Sequence, residues 1–211
     1  MYILMTKSII FISGNGSNLK NIINKINSGF INMEIVAVVS NNSMAKGLEI
    51  ARTNNIDTIV IDTEKPYLAI IKDLVKKHEV SLLILAGYMK ILPEYITDEF
   101  RGKILNIHPS LLPKHKGLNT HKKVLESNDS SHGASVHFVN SELDGGAVII
   151  QGQVNVKRDD TEETLKEKVH KIEYEIYPIA IKWFIEKHIE LKNDKCLFDG
   201  EVLECPIEHI L

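Results

Sequence analysis

The sequence predicts an α/β protein: a single-domain, doubly wound, mostly parallel sheet that becomes mixed at its C-terminal strands. Short apolar runs rich in Ile, Val and Leu alternate with helical patterns through residues 8–107. Strands that are apolar on both faces belong to parallel sheets covered by helices. Beyond Gly117, two further apolar runs are joined by the short turn Leu143-Asp144-Gly145-Gly146, a connection suited to antiparallel strands. The chain has 211 residues, 44% apolar and 25% charged, an ordinary globular composition long enough for one substantial core. One domain is therefore expected over 1–211, with halves 1–100 and 101–190 and a tail over 191–211.

Ser8 to Ile12 reads as the first strand, followed by the turn Gly14-Asn15-Gly16 and a helix over Asn18 to Asn27. Glu34 to Val39 is the second strand and Ala45 to Asn54 a helix. Thr58 to Ile61 is the third strand, and Pro66 to Lys77 is a helix with Pro66 near its first turn. Leu82 to Ala86 is the fourth strand and Ile104 to Ile107 the fifth. Pro109 keeps His108 out of the helical region, so the fifth strand runs on to His108 before breaking into a loop. Past Gly117 come a helix over Thr120 to Glu126 and strands over Ala134 to Val139 and Val148 to Val156. A long helix is expected from near Asp160, with Glu163 in a capping box. Its apolar stripe is Leu165, Val169, Ile172, Ile176 and Ala180, and Pro178 should kink or divide it. The tail from Lys192 reads as a hairpin packed on the sheet edge.

The net charge of −3 gives no electrostatic case for nucleic acid or an anionic membrane, so any phosphate must be gripped locally. Cys196 and Cys205 match no zinc or redox spacing, as in a reduced cytoplasmic protein. The apolar N-terminus lacks the basic lead and cleavage site of a signal peptide. Ser81 to Leu92, the longest later apolar stretch, is too short to span a bilayer and contains Lys90. A soluble protein follows.

Ser13-Gly14-Asn15-Gly16-Ser17-Asn18-Leu19 joins the first strand to the first helix. Glycines let backbone approach a phosphate, and a helix N-terminus supplies unpaired N–H groups and a favourable dipole. Leu19 stands where a dinucleotide fingerprint needs its third glycine, and the second strand ends Ser40-Asn41-Asn42 without an acidic residue for a ribose. No lysine follows the glycines as in a P-loop. A single phosphate is favoured over NAD or ATP, beside the plain alternative of a tight turn with an N-cap.

The fifth strand delivers two polar side chains where a buried strand should carry none. Alternate residues share a face, so Asn106 and His108 project side by side, at a strand end where open α/β sheets place their chemistry. An amide can hold a carbonyl oxygen more strongly as negative charge develops. A His can be charged or neutral at working pH, and a carboxylate such as Asp144, if the fold brings it close, would favour the imidazolium. No Ser or Cys stands in a nucleophile-elbow context, so direct transfer to a bound nucleophile fits better than a covalent intermediate. Against this stands a polar strand end with a structural His and an Asp-Gly turn.

Through ISGNGSNL, LAGYMKIL, LNIHPSLLP, HGASVHFV and ELDGG, the chain from Ile9 to about Phe184 resembles the folate-dependent formyltransferase family, in particular its glycinamide branch. The resemblance implies a formyltransferase fold and formyl transfer from 10-formyltetrahydrofolate to the amine of 5′-phosphoribosylglycinamide, with no metal. It implies Asn106, His108 and Asp144 as the catalytic trio. Gly16, Ser17 and Asn18 would hold the acceptor's phosphate, and Glu173 its glycinamide-ribose portion. Met89, Lys90, Ile91 and Leu92, with Asn106 and with Asn140, Ser141, Glu142, Leu143 and Asp144, would line the folate slot. The first half would thus bind phosphate, and the second would carry catalysis and much of the folate site. Folate and acceptor are expected to meet where the glycine turn and the Asn-x-His end adjoin.

Lys90 stands where the family commonly has arginine, and Asn119 where it often has histidine. His137 reads as structural; His115, His121 and His132 lack metal spacing and read as loop or surface residues. Partners are expected to be small molecules, without nucleic acid or membrane, for a monomer or homodimer. A formyltetrahydrofolate hydrolase would use the same trio with water, but with an added N-terminal domain. A methionyl-tRNA formyltransferase would need a C-terminal RNA-binding domain and a basic surface. A phosphosugar-binding module without catalysis is the alternative from another class.

Overall fold

The computed structural model describes residues 5–65 and 67–209, and the chain falls into two compact units, Met1–Leu105 and Asn106–Leu211. The first holds β1 (Thr6–Ile12), α1 (Ser17–Asn27), β2 (Met33–Ser40), α2 (Lys46–Thr53), β3 (Asp57–Val60), α3 (Leu68–His78), β4 (Leu82–Leu85) and α4 (Glu94–Glu99). Its strands lie in the order β4-β1-β2-β3, and every pairing is parallel. Ile9, Ile10 and Phe11 of β1, Val38 and Val39 of β2 and Ile84 of β4 are all fully buried. That explains why these strands show no polar alternation.

Element boundaries in the first unit differ from the sequence reading by a residue or two. Pro66 lies outside the described residues, and the helix expected to begin there begins at Leu68. The six-residue helix α4, which enters behind Pro93, was not foreseen, because a turn and a half of helix carries too little periodicity to register.

β5 (Ile104–His108) crosses the boundary between the units, with Asn106 to His108 in the second. The second unit continues with α5 (Thr120–Ser127), β6 (Ser131–Phe138), β7 (Val148–Asn155), α6 (Glu162–Ile185), β8 (Ile189–Lys192), β9 (Lys195–Phe198), β10 (Glu201–Val202) and β11 (Ile207–His209). Its strand order is β11-β7-β6-β5. β6 and β7 are antiparallel, whereas β11 runs parallel to β7, so the pairing here is mixed. α6 packs on β6 and β7, and Leu165, Val169, Ile172, Ile176 and Ala180, its expected stripe, are all fully buried.

Three expectations for this unit are corrected. The N-cap of α6 is Thr161, which exchanges hydrogen bonds with Thr164, so the capping box is Thr-Thr and Glu163 has no part in it. Asp160 instead accepts from the Lys157 N–H at 2.7 Å and from Lys168 Nζ at 2.6 Å. Pro178 does not divide α6, which runs unbroken from Glu162 to Ile185. A proline removes one rung of the ladder, and the buried neighbours Ile176, Tyr177, Ala180 and Ile181 hold the turn. The tail is more than a hairpin: β8, β9 and β10 form an antiparallel three-stranded sheet, and β11 then joins the edge of β7.

Candidate active site

In the first unit the glycine turn is built by close backbone approach. Gly16 is the N-cap of α1 with φ 74°, and no side chain caps that helix. A Cβ on Gly16 would stand 2.6 Å from Gly47 Cα, so only glycine lets the start of α2 sit against the turn. Gly47 N–H closes the contact on the Gly14 carbonyl at 3.0 Å. Ser17 and Asn18 thus stand in the first turn of a helix whose N-cap residue supplies no side-chain cap, a setting that suits an anion.

The polar end of β2 braces this turn. Ser13 Oγ donates to Asn41 Oδ1 at 2.6 Å, and Asn42 Nδ2 donates to the Ser13 carbonyl at 3.2 Å. Ser40 Oγ receives the Asn42 N–H at 3.1 Å. The same Ser13 hydroxyl accepts the Met89 N–H at 2.8 Å. The segment Met89 to Leu92 that follows has neither helix nor strand. Met89 and Ile91 are 68% and 65% exposed and Lys90 is exposed, while Leu92 is buried. Backbone outside helix and strand beside two exposed apolar side chains suits a flat heteroaromatic ligand.

In the second unit β5 presents Asn106, half-buried, and His108, buried. The turn after β6 brings Asp144 to them: its Oδ2 lies 3.3 Å from His108 Nδ1 and receives the Gly117 N–H at 2.8 Å. Gly146 makes this turn possible, since a Cβ there would stand 1.8 Å from the Phe138 carbonyl oxygen. His108 Nε2 lies 3.0 Å from the His115 carbonyl. A carbonyl can only accept, so Nε2 carries a proton. Nδ1 on the other side of the ring faces the Asp144 carboxylate. Within the same turn, the Glu142 N–H donates to Asn140 Oδ1 at 3.1 Å, Ser141 and Glu142 are exposed, and Leu143 is 48% exposed.

His137 belongs to this cluster, which the sequence reading missed. Its Nδ1 faces the Phe138 carbonyl at 2.7 Å and its Nε2 faces Asn106 Nδ2 at 3.0 Å. Nε2 also lies 3.8 Å from Asp144 Oδ1. Burial holds the His137 imidazole well below its ordinary pKa, so the ring is neutral. The carbonyl requires the proton on Nδ1, leaving Nε2 to accept from the Asn106 amide. The β6–β7 register shifts between Val136 and His137, which pair with Ile150 and Val148. Nothing in an alternating apolar strand announces it.

Glu173 is buried at 4% exposure on α6, with His170 Nε2 4.0 Å from its carboxylate. A carboxylate kept on a buried stripe suits a cationic or N–H-rich ligand group. His121 Nδ1 and His132 Nε2 pair at 2.9 Å, and burial lowers each ring to a pKa of about 4. His132 is buried in β6, not in a loop or at the surface as expected. His115 is bound to Asp129 at 2.7 Å. Asn119, with φ 58° at the N-cap of α5, occupies a backbone conformation that asparagine tolerates well. Among the described residues, no group of three or more His, Cys, Asp or Glu could hold a metal ion, and no helix is long and apolar enough to cross a membrane.

The sequence model of the family described as Formyl transferase matches residues 6–181. The chain is 43% identical over 204 residues to a phosphoribosylglycinamide formyltransferase of Haemophilus influenzae, covering 94% of this chain and 96% of the relative. It is 40% identical over 200 residues to one of Escherichia coli, covering 92% and 94%. The solved phosphoribosylglycinamide formyltransferase of Coxiella burnetii, in complex with CHES, superimposes with a TM-score of 0.91 at 37% identity, covering 96% of this chain and 98% of that one.

Proposed function

The chain belongs to the formyl transferase family, and on that premise we propose that it moves the formyl group of 10-formyltetrahydrofolate to the amine of 5′-phosphoribosylglycinamide. The products are formyl-phosphoribosylglycinamide and tetrahydrofolate, a step of purine biosynthesis. The observation that carries the reading at residue level is the junction of β5 with the turn after β6. His108 leans on Asp144 at 3.3 Å, beside an amide steered by His137 at 3.0 Å.

In this reading the amine lone pair forms a bond to the formyl carbon, and the carbonyl electrons move onto oxygen. The second N–H of Asn106 and the Nε2–H of His108, now on the His115 carbonyl, hold that oxyanion. Collapse breaks the bond from carbon to the folate nitrogen, whose electron pair takes a proton as the former amine loses one. Asp144 orients His108, and Gly117 keeps Asp144 in place.

Gly16, Ser17 and Asn18 would take the acceptor's phosphate and Glu173 its glycinamide-ribose portion. Met89, Lys90, Ile91 and Leu92, together with Asn106 and Asn140 through Asp144, would line the folate slot. A family model that runs through both units supports treating them as one formyltransferase domain. The setting that goes with this reading is a cytoplasmic enzyme of small molecules, a monomer or homodimer.

The test is loss of the formyl group from a chromogenic formyl-folate analogue with and without phosphoribosylglycinamide. Loss only with the acceptor, giving formylated product, is expected. Release of formate without the acceptor would overturn the transferase in favour of a hydrolase.

A further inference from the structure

Ser40-Asn41-Asn42, which argued against a dinucleotide, has no part in the reaction as described, yet it converges on Ser13. The Ser13 side chain sits between three chain segments of the first unit. Its hydroxyl donates to Asn41 Oδ1 at the end of β2 and accepts the Met89 N–H that opens the segment after β4. Its own backbone leads into the glycine turn, its N–H donating to the Gly87 carbonyl at 3.2 Å. A hydroxyl has one proton to give, and Asn41 takes it at 2.6 Å. The oxygen's lone pairs are thereby turned to Met89.

Met89 is 68% exposed, so packing does not hold this first residue of the segment, and the Ser13 bond restrains it. We propose that Ser13 is a positioning residue that ties the phosphate-binding turn to the Met89–Leu92 segment, so that the two substrates depend on one hydroxyl for their binding. The inference rests on the formyl-transfer reading above and adds to it a coupling between acceptor and folate. Ser13 touches neither reacting atom; it acts by fixing where two ligand-binding backbones stand.

The full chain is tested as Ser13→Ala, Ser13→Thr and Asn41→Ala. Ser13→Ala is expected to raise KM for both the acceptor and the formyl-folate analogue about fivefold to tenfold, the worth of one lost hydrogen bond. Because the trio is untouched, kcat stays within about twofold. Ser13→Thr, which keeps the hydroxyl, returns both constants to near wild type, and Asn41→Ala raises both to a lesser degree. A rise in one KM alone, a fall in kcat alone, or no rescue by threonine overturns the coupling.

A second readout does not need turnover. In the wild-type chain, inorganic phosphate should slow amide exchange in the first turn of α1 and at Met89. In Ser13→Ala the first effect should persist and the second vanish. Phosphate that protects α1 without Met89, or protects neither, overturns the coupling. Loss of the transferase reading alone would show as an inactive wild-type chain in which this exchange pattern survives.

Discussion

Asn106 Nδ2 lies 3.0 Å from His137 Nε2, and the other nitrogen of that ring is committed to the Phe138 carbonyl at 2.7 Å. A backbone carbonyl thus decides which way a side-chain amide faces. With Nδ1 donating, Nε2 can only accept, so the amide must turn its NH2 toward the ring. One N–H is consumed, and the other is left for an incoming carbonyl oxygen.

Replacing His137 by alanine should therefore act on the chemical step. We expect kcat to fall roughly tenfold or more, the effect of misdirecting one transition-state hydrogen bond, with KM for either substrate nearly unchanged. Steady-state kinetics of His137→Ala checks this; a loss confined to KM would remove His137 from the oxyanion argument.

Asn106→Ala and His108→Ala should each lower kcat about a hundredfold or more, the usual worth of an oxyanion donor or a general acid. Equilibrium titration should show both substrates still binding. Near-normal turnover in either variant would refute its assigned role.

The buried pair His121 and His132 predicts acid sensitivity. Burial lowers both rings from the ordinary 6.5 to about 4, so below 6.5 the unfolded chain binds protons that the folded chain refuses. Their stabilising contribution is complete above pH 6.5 and is lost as pH falls toward 4. Thermal melts from pH 7.5 to 4 should show Tm falling through that window, less steeply in His132→Asn. Asp129 and Asp160, held near 2 by their hydrogen-bonding partners, act in a separate window. Their contribution is lost only as pH falls below the ordinary carboxylate value of 3.8.

The α6 cap separates two neighbouring residues. Thr161→Ala should cost about 1 kcal/mol by chemical denaturation, whereas Glu163→Ala should stay within about 0.5 kcal/mol. Equal losses would return Glu163 to the cap.

Gly146→Ala should abolish activity in a folded chain, because its Cβ would occupy the place of the Phe138 carbonyl oxygen and displace the turn that carries Asp144. Activity assays alongside circular dichroism would decide it. Wild-type turnover would show that the turn relaxes without losing Asp144.

Much of this was legible in the residues themselves. Runs such as Ile9 to Ile12 and Leu82 to Leu85 declare buried parallel strands. Leu165 through Ala180 declare a helix, since periodicity is a property of neighbours along the chain. Asn106 and His108 stood out for the same reason, two polar residues on one face of an apolar strand. The α6 cap was misread because Thr161-Thr164 and Asp160-Glu163 offer the same spacing, and geometry alone separates them.

By itself, then, the sequence determined the α/β class, the strand that carries Asn106 and His108, the glycine turn and the resemblance to formyltransferases. Only the tertiary structure decided that His137 orients Asn106 and that Ser40-Asn41-Asn42 serves to brace Ser13. The physical reason is range. Strand and helix signals repeat every two to four residues, whereas a hydrogen bond between residues 31 apart, such as Asn106 to His137, leaves no local trace.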